Sequence, residues 1–349
     1  MFSLSSCLGR SGGFARTALL FFAGTAAIAA AAQGAGPLYG PRGVSPEAVR
    51  QGTLGSCYFH SSIASLAKAA PQTLRGAIGR SSLGGYRVHF ASGPDEVVFP
   101  DDIVYGRAHS YDRSDGDWVL VLMRGYAQRE VRRSLASAIQ RSEIIPAYAK
   151  PMALAWLDQS GLMLVAYDRA IRTVVGQDGR LDRGSFEQNL TAQLKAVGVP
   201  TSQAQMLVGF LDEKGFFTRL SLTVQQNGEV FGAYNALGQG GIPVRVIEAF
   251  MGSSHGVMVA DHQMTLESLR RLHRGGLAMV AGTFSNAPGG LGSANWWVNA
   301  HAYSVLDYNE YSQTVTLRNP WGTRPDPDGV FTISLGTFYQ GFEASSLSN

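Results

Sequence analysis

Cysteine is nearly absent: the 349 residues contain two, Cys7 and Cys57. Two thiols cannot supply the disulfide framework on which small secreted folds rely. Charge is sparse as well. Charged residues make up 16% of the chain, and 29 basic side chains nearly balance 26 acidic ones for a formal charge of +3. A nucleic-acid partner would want a strong basic excess, so none is expected. No internal repeat stands out. Outside the first 32 residues no apolar run reaches the about 20 residues of a membrane span. The acids near Gln177-Asp-Gly-Arg-Leu-Asp182 lack the spacing of a helix–loop–helix calcium hand. Gly240-Gly241 lacks the strand before it and the Lys-Ser/Thr after it that a phosphate loop needs. What remains is an ordinary globular composition, rich in glycine, and long enough for one large domain or two lobes with real cores.

The first 32 residues stand apart. Arg10 and Arg16 precede the apolar run Thr17 to Ala32, and small residues follow. A basic start, a short apolar middle and small residues near a cut site describe a secretory signal peptide. An uncleaved anchor is the alternative, although the run is short for one. Removal of two arginines and no acids takes the formal charge from +3 to +1. It also removes Cys7, leaving Cys57 as the lone thiol of an exported, secreted or periplasmic protein, with no stable membrane association expected. A lone cysteine in an oxidising compartment is a candidate reactive thiol.

Cys57 sits in Gln51-Gly-Thr-Leu-Gly-Ser-Cys57-Tyr-Phe. Phe59, Ile63, Leu66 and Ala70 then recur at helical spacing, and Pro71 closes the pattern. Ser56 is a candidate N-cap, which puts Cys57 in the first turn. There the helix dipole favours an anion, lowering a cysteine pKa from about 8.5 toward roughly 3.5–7.5. The plain alternative is a small buried residue on a core helix.

The intervening chain is mixed. Tyr86–Phe90 and Glu96–Phe99 read as a strand pair. Pro100-Asp101-Asp102 reads as the turn that ends it, with a metal or substrate site as the lesser reading of its paired acids. Trp118–Gln128 reads as a buried helix despite its β-branched residues. Helical patterns continue from Glu130 to Trp156, with a break near Pro146, and recur over 186–197 and 203–211. Ala278–Phe284 reads as a buried strand.

Near the C-terminus, Asn299-Ala-His301-Ala-Tyr-Ser-Val and Leu317-Arg-Asn319-Pro-Trp321-Gly belong to two apolar-alternating runs around a polar connector, the pattern of a hairpin. A symmetric turn near Glu310 sets His301 opposite Asn319, with Cβ atoms about 4.5–5.5 Å apart. A cysteine nucleophile needs a base, and the base needs an orienting group. Histidine can take the thiol proton, and an Asn carbonyl can aim its ring. The other histidines, His60 among them, show no such partner in the sequence.

Gln51-Gly-x-x-Gly-Ser-Cys57, His301-Ala-Tyr-Ser-Val and Arg318-Asn319-Pro-Trp321-Gly resemble, in order, the three active-site blocks of the calpain family of cysteine proteases. Val97–Asp102, Trp118–Gln128 and Gly232–Leu237 are weaker echoes. The resemblance implies an α+β, papain-like two-lobe core: a helical lobe with Gln51 and Cys57, and an antiparallel β lobe with His301 and Asn319. Its organisation would be 1–32 signal peptide, 33–128 helical lobe, 129–231 inserted helical subdomain, and 232–349 the end of the helical lobe with the β lobe. The insert reads as a lid, an autoinhibitory element, a partner surface or decoration. The resemblance assigns Gln51 to the oxyanion hole and Trp321 to the aromatic beside Asn319, a substrate-binding position. It implies a protein or peptide substrate and an endopeptidase that needs no cofactor for the chemistry. Calcium is suggested by the family, with no ligands assignable. The chain departs from the family in Ser56, where Asp is usual, and in Tyr58, where Trp is usual. Two other readings stand beside this one: a non-catalytic binding module, and a transglutaminase-like acyl transferase, which Asn319 disfavours.

Overall fold

A computed structural model describes residues 36–82, 84–141, 183–196, 200–213 and 237–348, together with 147, 148, 150, 151, 154, 155 and 234. Residues 1–32, expected to be a signal peptide, and the expected loop over 177–182 lie outside them. The described chain is α+β with antiparallel sheets. In order it forms α1 (Cys57–Ala69), α2 (Pro71–Gly76), β1 (Ile78–Arg80), β2 (Tyr86–Val88), β3 (Glu96–Val98), α3 (Pro100–Ala108) and α4 (Trp118–Arg141). Next come α5 (Arg183–Ala196), α6 (Thr201–Glu213), α7 (Pro243–Met251), β4 (Ser254–Met258) and α8 (His262–His273). The chain finishes with β5 (Met279–Thr283), β6 (Ala302–Asn309), β7 (Thr314–Arg318), β8 (Val330–Ser334), α9 (Leu335–Gly341) and β9 (Phe342–Ser348). Strands β1–β3 make a small antiparallel sheet, and the rest make a six-stranded sheet in the order β4-β9-β5-β6-β7-β8.

Among the described residues two large hydrophobic clusters stand out. One joins Phe59, Ile63 and Leu66 of α1 to Trp118–Met123 and Tyr126 of α4 and to Val246, Ile247 and Phe250 of α7. The other lies on the large sheet, where Tyr303, Val305, Leu317 and Leu347 meet Leu269 and Leu272 of α8 and Phe338 of α9. Trp118 through Met123 are all fully buried. Burial on every side explains why a run rich in valine is a helix here: packing outweighs a propensity difference of a few tenths of a kcal/mol per residue.

Three expectations change. Pro100-Asp101-Asp102 is the first turn of α3, not a turn between elements. Proline at the first helical position suits a helix start, and Asp102 accepts the Phe99 N–H at 3.1 Å. Asp102 is buried beside Arg124, 3.3 Å away, which explains the paired acids without a metal. The boundary at 128/129 falls inside α4, whose Arg132 makes a two-pronged, buried ion pair with Glu96 of β3 at 2.7 and 3.0 Å. The hairpin of β6 and β7 carries a bulge at Leu306: Val305 pairs with Leu317, but Asp307 pairs with Thr316. The extra residue shifts the register.

One stripe of polar residues ties α1 to the large sheet. Ser61 Oγ donates to the Ala302 carbonyl at 2.7 Å, and Ser304 Oγ donates to the Ser61 carbonyl at 2.8 Å. Ser65 Oγ donates to the Met279 carbonyl at 2.9 Å and accepts the Met279 N–H at 2.7 Å. Lys68 Nζ caps the Leu306 carbonyl at the bulge. The serine ties are buried, where losing a partner costs about 1–3 kcal/mol. Ser65→Ala is therefore expected to lower the unfolding free energy by about 1–3 kcal/mol in urea titrations. A loss under about 0.5 kcal/mol would show that the seam is not energetically coupled.

Candidate active site

The segment before α1 is zipped to residues 110–114. Gly52 N–H donates to the Tyr111 carbonyl at 3.2 Å and Thr53 N–H to Ser110 at 2.9 Å. A Cβ at position 52 would come within 1.8 Å of the Ser110 carbonyl oxygen, so only glycine permits this approach. Gln51 is held from three sides. Its N–H donates to the Pro320 carbonyl at 2.8 Å, its Nε2 donates to the Leu54 carbonyl at 2.7 Å, and its backbone bridges Asp112. One Nε2 hydrogen fixes the amide; the other remains to serve a ligand. Arg318, fully buried, donates to the Val49 carbonyl at 2.6 Å and so ties this arm to the end of β7. Burial pulls its guanidinium down to about 10.

α1 begins at Cys57, a free thiol that is partly buried. The backbone N–H groups of Ala302, Tyr58 and Cys57 itself favour its anionic form. Ala302 is the residue after His301, so the start of helix α1 lies close to the start of β6. Burial pushes the Cys57 thiol up, and the N–H groups pull it back only in part. The expected lowering by the helix terminus is thus overturned, because desolvation of the anion outweighs the dipole. Ser56 stands at the cap position but its hydroxyl makes no capping bond to the helix.

His301 is buried and its Nε2 lies 3.1 Å from Asn319 Oδ1. The pair forms although the two residues are not directly opposed. Continued outward, the bulged register sets His301 against Trp321 and Asn319 against Tyr303. Both partners lie just beyond the strand ends, which lets the side chains converge. Asn319 Oδ1 also accepts the Trp321 N–H at 3.1 Å, and the Trp321 ring packs on His301 with centroids 4.9 Å apart. Thr283 Oγ1 accepts the His301 N–H at 3.0 Å and fixes its backbone. Burial lowers the His301 pKa to about 4, while the Asn319 bond works in the opposite direction. The resting pair is therefore a neutral thiol beside a neutral imidazole. With Nε2 engaged by Asn319, Nδ1 is the nitrogen left for proton transfer.

All five residues singled out in the sequence fall at this locus: Gln51, Cys57, His301, Asn319 and Trp321. Sequence reasoning missed Thr283 and Ser61, which look like unremarkable core positions, and it left His60 without a partner. His60 is fully buried, with Nε2 3.1 Å from Asp112 Oδ1 and Nδ1 3.1 Å from both the hydroxyl and the carbonyl oxygen of Ser56. Both nitrogens are occupied, so His60 is not a rival base for Cys57. Among the described residues no group of three or more His, Cys, Asp or Glu side chains converges as a metal site. Nor is any described helix long and apolar enough to cross a membrane.

No family model matches the chain, and no curated protein matches it. Among solved structures, the crystal structure of PepW from Lactobacillus rhamnosis HN001 is similar over 86% of this chain and 80% of that one, at 10% identity and a TM-score of 0.32. A likeness that slight fixes neither fold family nor activity.

The electrostatics have a direct readout. His301 is expected to titrate near 4 by NMR, and Asn319→Ala, by removing the bond that favours the cation, should move it lower still. A histidine whose folded pKa lies below its unfolded value opposes folding when protonated. Stability is therefore complete above the unfolded pKa and falls by up to about 3 kcal/mol as pH drops from about 6.5 toward 4. That slope should flatten in His301→Gln; an ordinary His301 titration near 6.5 would contradict the burial argument.

Proposed function

We propose that this chain is an exported, calpain-like cysteine endopeptidase built on a papain-like two-lobe core. The observation that carries the reading is the His301–Asn319 pair, 3.1 Å between Nε2 and Oδ1, at the start of the strand against which the Cys57 helix packs. A nucleophile, a base and an orienting group are what nucleophilic catalysis requires, and Cys57, His301 and Asn319 supply them in this reading.

In this mechanism the Cys57 proton passes to His301 Nδ1 as sulfur attacks a peptide carbonyl. Charge develops on the carbonyl oxygen, and the Cys57 N–H and the free Gln51 Nε2–H stabilise it. His301 returns the proton to the leaving amine, the C–N bond breaks and a thioester remains. His301 then takes a proton from water, which hydrolyses the thioester and restores the thiol. Starting from a neutral pair is compatible with this sequence, because the proton moves within the transition state. Trp321 covers the His301–Asn319 bond and offers an aromatic wall to the substrate.

The test is cleavage of casein by the exported chain, residues 33–349, with calcium and with EDTA. Cys57→Ala is expected to abolish turnover, and His301→Ala to reduce it about 10²–10⁴-fold, with the unfolding curve of Cys57→Ala unchanged. Casein cleavage by Cys57→Ala at the wild-type rate would overturn the reading. Turnover lost in EDTA and restored by calcium would show a metal requirement; equal rates in the two would show none.

A further inference from the structure

His60 and Asp112 form a histidine–carboxylate pair that the proposed chemistry does not use. Both side chains are fully buried and 3.1 Å apart. A buried polar pair is weak evidence for stability, since apolar residues of similar size often serve as well. Its position is more informative. Asp112 belongs to the segment that flanks Gln51. Its carboxylate accepts the Ser114 hydroxyl at 2.6 Å and the Ser114 N–H at 3.2 Å. Ser114 Oγ in turn accepts the Arg50 N–H at 2.8 Å, and the Asp112 backbone bridges Gln51. On its other side His60 Nδ1 holds Ser56, the residue before Cys57. One imidazole therefore links the peptide carrying one oxyanion donor, the Cys57 N–H, to the ribbon carrying the other, the Gln51 amide. It also accounts for the missing cap, because the Ser56 hydroxyl lies against the His60 ring.

We propose that His60, clamped by Asp112, is a positioning residue that sets the spacing of the two oxyanion donors. This rests on the peptidase reading above and adds the element that holds its anion site in register. His60 touches neither the substrate nor the thiol. It acts through Ser56 on one side and through Asp112 and Gln51 on the other.

The experiment compares His60→Gln and Asp112→Asn with the wild type in four measurements: thermal melting, kcat and KM on a peptide amide, affinity for a peptide aldehyde, and the rate of Cys57 alkylation by iodoacetamide. The aldehyde adds the thiol across its carbonyl and leaves an oxygen in the anion site. Alkylation displaces iodide from carbon and forms no such oxygen. Misplaced donors should lower kcat about 10–100-fold and weaken the aldehyde by a similar factor, with KM and alkylation within about 3-fold. In a Gln51→Ala background, where one donor is already gone, His60→Gln should cost at least about 3-fold less than in the wild type. A folded variant with kcat within about 3-fold of wild type overturns the proposal. So does a parallel fall of alkylation and aldehyde affinity, which would mean that the thiol itself had moved. A variant that melts below the assay temperature is replaced by Asp112→Glu, judged by the same criteria. A wild type that neither cleaves the amide nor binds the aldehyde overturns both the peptidase reading and this one; an active wild type with unaffected variants overturns this one alone.

Discussion

The site depends on the seam between α1 and the edge of β5 and β6. Cys57 lies on a helix and His301 on a sheet, and neither element alone can place one against the other. Ser61, Ser65, Ser304 and Lys68 do so by exchanging hydrogen bonds between the two. These are polar contacts in a buried place, directional where apolar packing is not. Apolar contact tolerates a slide of an ångström or more; a hydroxyl serving both groups of one peptide, as Ser65 does for Met279, does not. The same seam sets the start of α1 close to the start of β6.

Burial gives the site its electrical character. Cys57 and His301 are shifted in opposite senses by one cause, the loss of water around a charge. Polar groups partly offset that cost: nearby backbone N–H groups favour the thiolate, and the Asn319 carbonyl oxygen favours the imidazolium. The interior is therefore prepared for charge without carrying it at rest. Arg318 is the exception: burial pulls its guanidinium down to about 10, yet it stays a cation, anchored on the Val49 carbonyl.

Much of this was legible in the sequence. Cys57 at a helix start, the strand pair at 86–98, the buried helix from Trp118 and the His–Asn hairpin all follow from local pattern, because period and punctuation are local quantities. The failures share a cause. The thiol pKa depends on how much chain covers it, which no spacing reports. The direct opposition of His301 and Asn319 assumed a turn centred on Glu310, whereas Asn309 pairs with Thr314 and the turn centres between Tyr311 and Ser312; the bulge at Leu306 takes back one residue of that offset. His60 looked partnerless because Asp112 lies 52 residues away. Pro100-Asp-Asp was misread for a different reason. Proline with an acid two residues on also starts a helix, and the buried Arg124 that makes Asp102 welcome belongs to another element.

The seam has one more consequence. Helix α1 and strand β6 run side by side in the same direction: Ser61 meets Ala302 and Ser304, and Lys68 meets Leu306. Four residues of helix advance about 6 Å, and two residues of strand advance about 6.6 Å. The two elements act as a pair of rulers with nearly commensurate divisions, and where the helix outruns the strand the long Lys68 side chain reaches back to span the difference. Such a pair is phase-locked. Any family of sequences folding this way is free to lengthen the chain between α1 and β6 almost without limit, but not to add or remove a single residue within either ruler.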